Sequence, residues 1–199
     1  VALIGPGNFD TILTNIVGQL KTVATEQRNL DATKGWTTFR NATRPWEAKQ
    51  LATEPIVNAW MPRLDPVDEG STSRTVNSMQ ATYNIDLYVR GIETAGVQPA
   101  DEEALDRLYL LAQQTMHALY ALAFANWGLA VGEIQDQSWP RYETLQTDEK
   151  KIEDMIIAGR WSLSITYAWE AEDITPADLT KITITETKRF GAEYTYPAP

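Results

Sequence analysis

Few residues in this chain have the type and spacing to do chemistry, and each has a plainer use. His117 is the single histidine, and there is no cysteine. A nucleophilic or proton-transfer role for His117 needs a nucleophile or an orienting group beside it, and none can be named from the sequence. It reads as a structural residue near the buried stripe of a helix. Asp101, Glu102, Glu103 and Asp106 form a carboxylate cluster, a set that elsewhere does acid–base work or holds a divalent cation. The start of a helix, with unpaired N–H groups and a positive dipole end, already accounts for three of them. Asp65, Asp68 and Glu69 are a loose match to a calcium loop, but the full pattern, ending on a bidentate Glu at its twelfth place, is not met. Gly5-Pro6-Gly7 is not a phosphate loop, and neither a dinucleotide fingerprint nor a serine elbow is present. Trp36, Trp46 and Trp60 could stack on bases or sugars. With only Arg40 and Arg44 as nearby cations, packing in a core or an interface is the expected use. No catalytic, metal or cofactor site is therefore expected, and the chain is read as a non-enzyme.

Composition narrows the classes further. The chain has 199 residues, 43% of them apolar, with seven Trp and eight Tyr. That is enough to bury a core without a disulfide or a metal. The lack of Cys removes thiol catalysis and zinc ribbons. No apolar run approaches the length of a membrane span, and Val1 to Gly7 lacks the basic and apolar regions of a signal peptide. The expected address is a cytoplasm, with no membrane partner. The net charge of −10 argues against tight nucleic-acid binding, which runs on phosphate-neutralising cations. The charge is uneven: residues 1–50 hold six Lys/Arg and four Asp/Glu, whereas residues 101–154 hold four and eleven.

Two helices and several strands would have to position any site. Phe9, Ile12, Leu13, Ile16, Val17, Leu20, Val23 and Ala24 recur at i, i+3, i+4, i+7, which predicts a helix over Phe9–Gln27 with Asn8 as its cap. Leu105, Leu108, Leu111, Ala112, Met116, Leu119, Leu122 and Ala123 predict a second helix over Glu102–Asn126, with Asp101 as N-cap and Gly128 at the C′ position. Strict alternation over Met79–Val89 and Trp161–Trp169 predicts two strands with one buried face each. Shorter strands are expected at Trp36–Phe39, Ile56–Met61 (stopped by Pro62), Leu129–Ile134 and Lys181–Thr187. An exposed loop is expected at 65–75, and a polar stretch at 138–154.

One-sided alternation belongs in antiparallel sheets with one face covered. The expected fold class is α+β: a mainly antiparallel sheet with two long amphipathic helices packed on one face. It forms one domain over residues 1–187, with 29–75 as an irregular Trp/Pro-rich insertion and 188–199 as an extended C-terminal arm.

The run FDTILTNIVGQLKTV, the strand MQATYNIDLYVRG, the helix DEEALDRLYLLAQQTMHAL, the strand GRWSLSITYAW and the closing KITITET together resemble, over residues 8–187, the tail terminator proteins of long-tailed bacteriophages and their neck and tail-tube relatives. The resemblance is one of layout, and the chain is longer than the compact members. It implies a virion structural protein, assembled in the host cytoplasm, whose homo-oligomeric ring, commonly a hexamer, caps the tail tube. Such a ring meets tail tube and head connector proteins and lets DNA pass through its lumen without sequence-specific binding. Rings of identical subunits use two different patches that meet head to tail, and the uneven charge offers two. Arg40, Arg44 and Trp46 on the first patch, Asp148 and Glu149 on the acidic one, and Tyr194 and Tyr196 on the arm are the interface candidates. Alternatives are another tail or neck subunit, a non-viral module binding a small ligand in a Trp/Tyr-lined cavity, and an enzyme with an acidic site at Asp101–Asp106.

Overall fold

The computed structural model describes residues 8–42, 54–67, 76–91, 100–145 and 156–170. Two helices, α1 (Asn8–Leu30) and α2 (Ala100–Phe124), pack against a six-stranded sheet made of β1 (Thr37–Arg40), β2 (Ile56–Val67), β3 (Val76–Arg90), β4 (Ile134–Gln137), β5 (Arg141–Leu145) and β6 (Ile156–Glu170). The sheet order is β1-β2-β3-β6, with β4 and β5 sharing the far side of β6. β1 runs parallel to β2, and every other pairing is antiparallel. The structure thus has the expected α+β class and a mainly antiparallel sheet.

β3 and β6 form the centre. They pair without a break from Val76↔Glu170 to Arg90↔Ile156. Because side chains alternate along a strand, this register puts Ala81, Tyr83, Ile85, Leu87 and Val89 on one face with Trp161, Leu163, Ile165 and Tyr167. All nine are buried. Both helices cover that face, α1 over β1 and β2, α2 over β3 and β6. Gln114 bonds Gln27 near one end, and Asn15 bonds the Trp127 carbonyl near the other, so the helices run antiparallel. Two polar atoms inside this core are tied to the helices: the Tyr83 hydroxyl donates to the Phe9 carbonyl at 3.0 Å, and the Trp161 indole donates to Thr115 Oγ at 3.1 Å.

Some expectations are corrected. β2 does not stop at Pro62. It continues to Val67 because the register with β3 slips between Trp60 and Arg63, and the bulge takes up a proline that has no N–H to give. Asp65–Val67 are accordingly strand, not loop. Asp101 lies inside the first turn of α2, one residue past its start. His117 faces solvent, away from the buried stripe. Leu129–Ile134 is not a strand. Asn126, Trp127 and Gly128 all take left-handed φ, at 52°, 54° and 79°, and this reverses the chain directly after α2. Left-handed backbone is costly for the two that are not glycine. Here the Asn126 amide bonds the Leu129 and Ala130 carbonyls, and the turn drives the Trp127 indole into the core, where its N–H reaches Gln137 Oε1 at 2.6 Å. The first strand after it is β4, and part of the polar stretch forms β5, an element the pattern does not announce. The expected strand Lys181–Thr187, the arm and the later part of the polar stretch, from residue 146 on, lie outside the described residues.

Gly91 ends β3 against the first turn of α2, where a Cβ would collide with the Ala100 carbonyl. Gly18 on α1 has open space around it. Gly91→Ala is therefore expected to destabilise by about 1–3 kcal/mol through overpacking, while Gly18→Ala stabilises by about 0.5–1 kcal/mol through helix propensity. Urea denaturation of the two variants checks this, and equal effects would contradict the close approach at Gly91.

Burial raises the pKa of the Tyr83 and Tyr167 phenols above the usual tyrosine value. They stay neutral in the fold, while the unfolded chain ionises near pH 10. Their stabilising contribution is full below pH 10 and is lost as pH rises past it. Melting temperature should hold between pH 7 and 9.5 and fall steeply above 10, with Tyr83→Phe blunting the fall.

Candidate functional site

The face of the sheet opposite the helices is arranged in rows across the strands, polar apart from the row Ile56, Tyr88, Ala158 and Leu145. One row is Asn58, Asp86, Arg160 and Glu143; the next is Trp60, Asn84, Ser162 and Arg141. Asp86 is only 4% exposed, and Asn58 and Asn84 on the same face are also buried. The two Asp86 oxygens are taken separately: Arg160 Nε donates to Oδ1 at 2.6 Å, and the Trp60 indole donates to Oδ2 at 2.9 Å. The Arg160 guanidinium also stands 5.6 Å from the Trp60 ring centre, within reach of a cation–π attraction. The hydrogen bond to Asp86 holds the Arg160 pKa above its ordinary value, against the desolvation that lowers it. Burial, with the Asp86 charge nearby, pushes the Tyr88 phenol up to about 12. Further along the face, Ser162 donates to Asn84 Oδ1 and the Thr82 and Ser164 hydroxyls meet.

A hollow of about 420 Å³ opens beside this cluster, lined by Asn41, Ala42, Asn58, Trp60, Met61, Asp86 and Tyr88. The Asn58 amide accepts from the Ala42 N–H and donates to the Ala42 carbonyl, both at 3.1 Å. It stands in for a neighbouring strand and pins the chain just after β1.

A second feature lies along the β4/β5 margin of the sheet. Tyr109, Met116, Tyr120 and Phe124 fall on one side of α2, and Trp139 lies beside them with its ring 5.1 Å from that of Tyr120. Tyr109 is 53% exposed, Trp139 54%, Phe124 84% and nearby Val131 98%. Single exposed apolar residues are ordinary. A run of Tyr, Trp, Phe and Met along one margin has the composition of an interface centre. The opposite margin, formed by α1 and β1, is mostly polar: Thr14, Gly18, Lys21, Thr22, Thr25, Glu26 and Asn29 of α1 are exposed, and Leu30 at the end of the helix is the apolar exception.

Of the interface candidates named from the sequence, Arg40 is described. It forms an ion pair with Asp10 of α1 within the same chain, so it braces β1 as well as contributing charge to that margin. Arg44, Trp46, Asp148, Glu149, Tyr194 and Tyr196 lie outside the described residues. Trp36 is a core residue and Trp60 belongs to the polar cluster. Glu103 is 3.7 Å from Arg107, one helical turn on, in keeping with a helix-start role for the carboxylates. Among the described residues no cluster of His, Cys, Asp or Glu is arranged to hold a metal ion, and no helix is long and apolar enough to cross a membrane.

Two groups were not singled out in the sequence. The aromatic margin had a signal in Tyr109, Tyr120 and Phe124, which share one side of a helix opposite its leucines. The Asp86–Arg160–Trp60 cluster had none, because its members lie about 26 and 74 residues apart and only strand register joins them. Compared with known proteins, the chain matches no family model and no curated protein.

Removing Asp86 strands two partly buried donors, the Arg160 guanidinium and the Trp60 indole. Asp86→Ala is expected to cost about 2–4 kcal/mol, and Trp60→Phe about 1 kcal/mol. In a double-mutant cycle, Asp86→Ala with Arg160→Met should fall short of additivity by at least about 1 kcal/mol; additive losses in denaturant melts would mean that the two groups are not coupled.

Proposed function

We propose that this chain is a virion structural protein of the tail-terminator kind, a subunit whose copies close into a hexameric ring on the end of a bacteriophage tail tube and join it to the head connector. The observation that carries the reading is that the two margins of the sheet end differently. The β4/β5 margin exposes Tyr109, Phe124, Val131 and Trp139, while the α1/β1 margin is mostly polar, with Leu30 its one large exposed apolar side chain among the described residues. A ring needs two unlike patches on opposite sides of one subunit, and this fold presents them. The charge difference between the halves of the sequence has the same sense. The layout resemblance supplies the tail; the margins supply the ring. The same geometry fits another ring subunit of the neck or tail tube.

A second reading has one specific observation in its favour. The hollow beside Trp60 has the size and the mixed polar and aromatic lining of a small-ligand site, which would make the chain a binding module.

Electron microscopy of the purified protein at high concentration, and of the protein mixed with tail tubes, separates the two. Discs with a central hole wide enough for duplex DNA, or caps at tube ends, are the expected result. Monomers that leave tube ends bare would sink the ring reading. A ligand that then raised the melting temperature would support the binding module.

A further inference from the structure

β5 has an open edge. It pairs with β6 on one side, and among the described residues no strand pairs with its other side. β4 lies in line ahead of it and is open on the same side. Such an edge offers backbone donors and acceptors to any extended chain, and folded proteins commonly cover it. This edge also has a wall and a floor. Tyr109 and Tyr120 share one side of α2, and the Trp139 ring lies 5.1 Å from Tyr120. Below them is Tyr142 of β5, its ring 5.0 Å from the buried Trp161. In settings of this kind an extended segment adds to the sheet. Main-chain bonds hold it, and alternate side chains enter the wall.

The segment that fits is apolar on one side, polar on the other, and basic. The helix side of the edge carries Tyr142, and the other side carries Arg141 and Glu143. Glu102 and Asp106, seven and three residues before Tyr109, are exposed on the same side of α2. Residues 100–145 hold seven Asp/Glu against two Lys/Arg, and one of the cations, Arg107, already stands by Glu103. The chain itself supplies such a segment. In KITITETKRF, residues 181–190, Ile182 and Ile184 alternate with Thr183 and Thr185, and three Lys/Arg stand against one Glu.

The path also closes. The described residues end at Glu170, near the start of β4, where Ile134 pairs with Tyr167. From there to the outer side of Arg141, which pairs with Ser162, is eight residues of strand and two strand spacings, roughly 29 Å. Residues 171–180 reach up to about 33 Å when extended. A strand arriving from that end runs parallel to β5, toward the start of α2, because Leu145 pairs with Ala158, Ile156 with Arg90, and Gly91 abuts Ala100. Lys188 and Arg189 then come to Glu102 and Asp106.

We infer that residues 181–187 add to the outer edge of β5 in their own chain, with Ile182 and Ile184 against Tyr109 and Tyr142. The covalent tether favours its own edge by keeping the segment at high effective concentration. The inference goes beyond the ring reading and stands without it. Phe124 and Val131, at the β4 end of the margin, stay uncovered for a neighbour.

Hydrogen exchange of the full chain, read by NMR, tests the seat. The β5 amides that point away from β6 are expected to exchange at least ten-fold more slowly in the parent than in Ile182→Asp/Ile184→Asp. Amides of the β3–β6 pairing should keep their rates in both, which shows that both are folded. A second variant, Lys188→Glu/Arg189→Glu, leaves the apolar side alone and should weaken the protection at low salt. Outward β5 amides that exchange as fast in the parent as in the isoleucine variant would overturn the seat. Protection that appears only as the parent is concentrated into oligomers would overturn it too, and would give the edge to a second copy.

Discussion

The pairing of β3 with β6 sets the terms for everything else in this molecule. It runs from Val76↔Glu170 to Arg90↔Ile156 without a register shift. A slip of one residue would turn every side chain of a strand to the other face, exchanging Tyr83, Ile85 and Leu87 for Asn84, Asp86 and Tyr88. Placing Asp86 and Asn84 under two helices without the partners they now have, and exposing the apolar row, would cost as much as a domain's net stability. The alternation in each strand therefore fixes the register, and the register fixes which face the helices cover. It also brings Asp86 beside Arg160, so the polar face is organised by the same constraint that builds the core.

The edges of the sheet are under weaker control, and that is where the molecule varies its surface. β4 and β5 both pair with β6 but are separated at Ser138–Pro140, where the Ser138 N–H bonds the Ser164 carbonyl and the Ser164 N–H bonds Ser138 Oγ. The break lets Trp139 lean out toward Tyr120. On the other side, β1 is four residues long and parallel to β2. It is held by Arg40 to Asp10 and, just beyond its end, by the Asn58 amide. Short or interrupted edge strands limit unwanted sheet-to-sheet pairing.

Much of this architecture is legible in the sequence because it depends on periodicity. The two helices and the two central strands follow from apolar residues at spacings of 3.6 and 2, and the cover of one face follows from one-sided alternation. What the pattern misses has local or long-range causes. Pro62 reads as a stop, yet a bulge accommodates it. Leu129–Ile134 reads as a strand, yet the left-handed residues before it turn the chain away. β5, RYETL, has no alternation to read because both its faces are half polar. The Asp86 cluster joins residues far apart in sequence, which only register reveals. The acidic start of α2 reads correctly as a helix start, whereas Tyr109, Tyr120 and Phe124 read as scattered aromatics until the fold sets them along one margin.

The central pairing also orders events in time. β3 and β6 bracket α2, β4 and β5, so their partnership closes a loop of about 65 residues at its nearest rung, Arg90↔Ile156, a long-range closure of the kind that slows folding. During synthesis β6 is the last of the described elements to appear. Until then one edge of β3 is unpaired and the leucines of α2 have only half of their cover. The nascent chain thus exposes an open strand and an apolar helix side together, and it becomes sheltered in one late step. A protein built this way is expected to pair β3 on both of its sides only after residue 170 has been made, so premature termination upstream of β6 leaves the central pairing unmade.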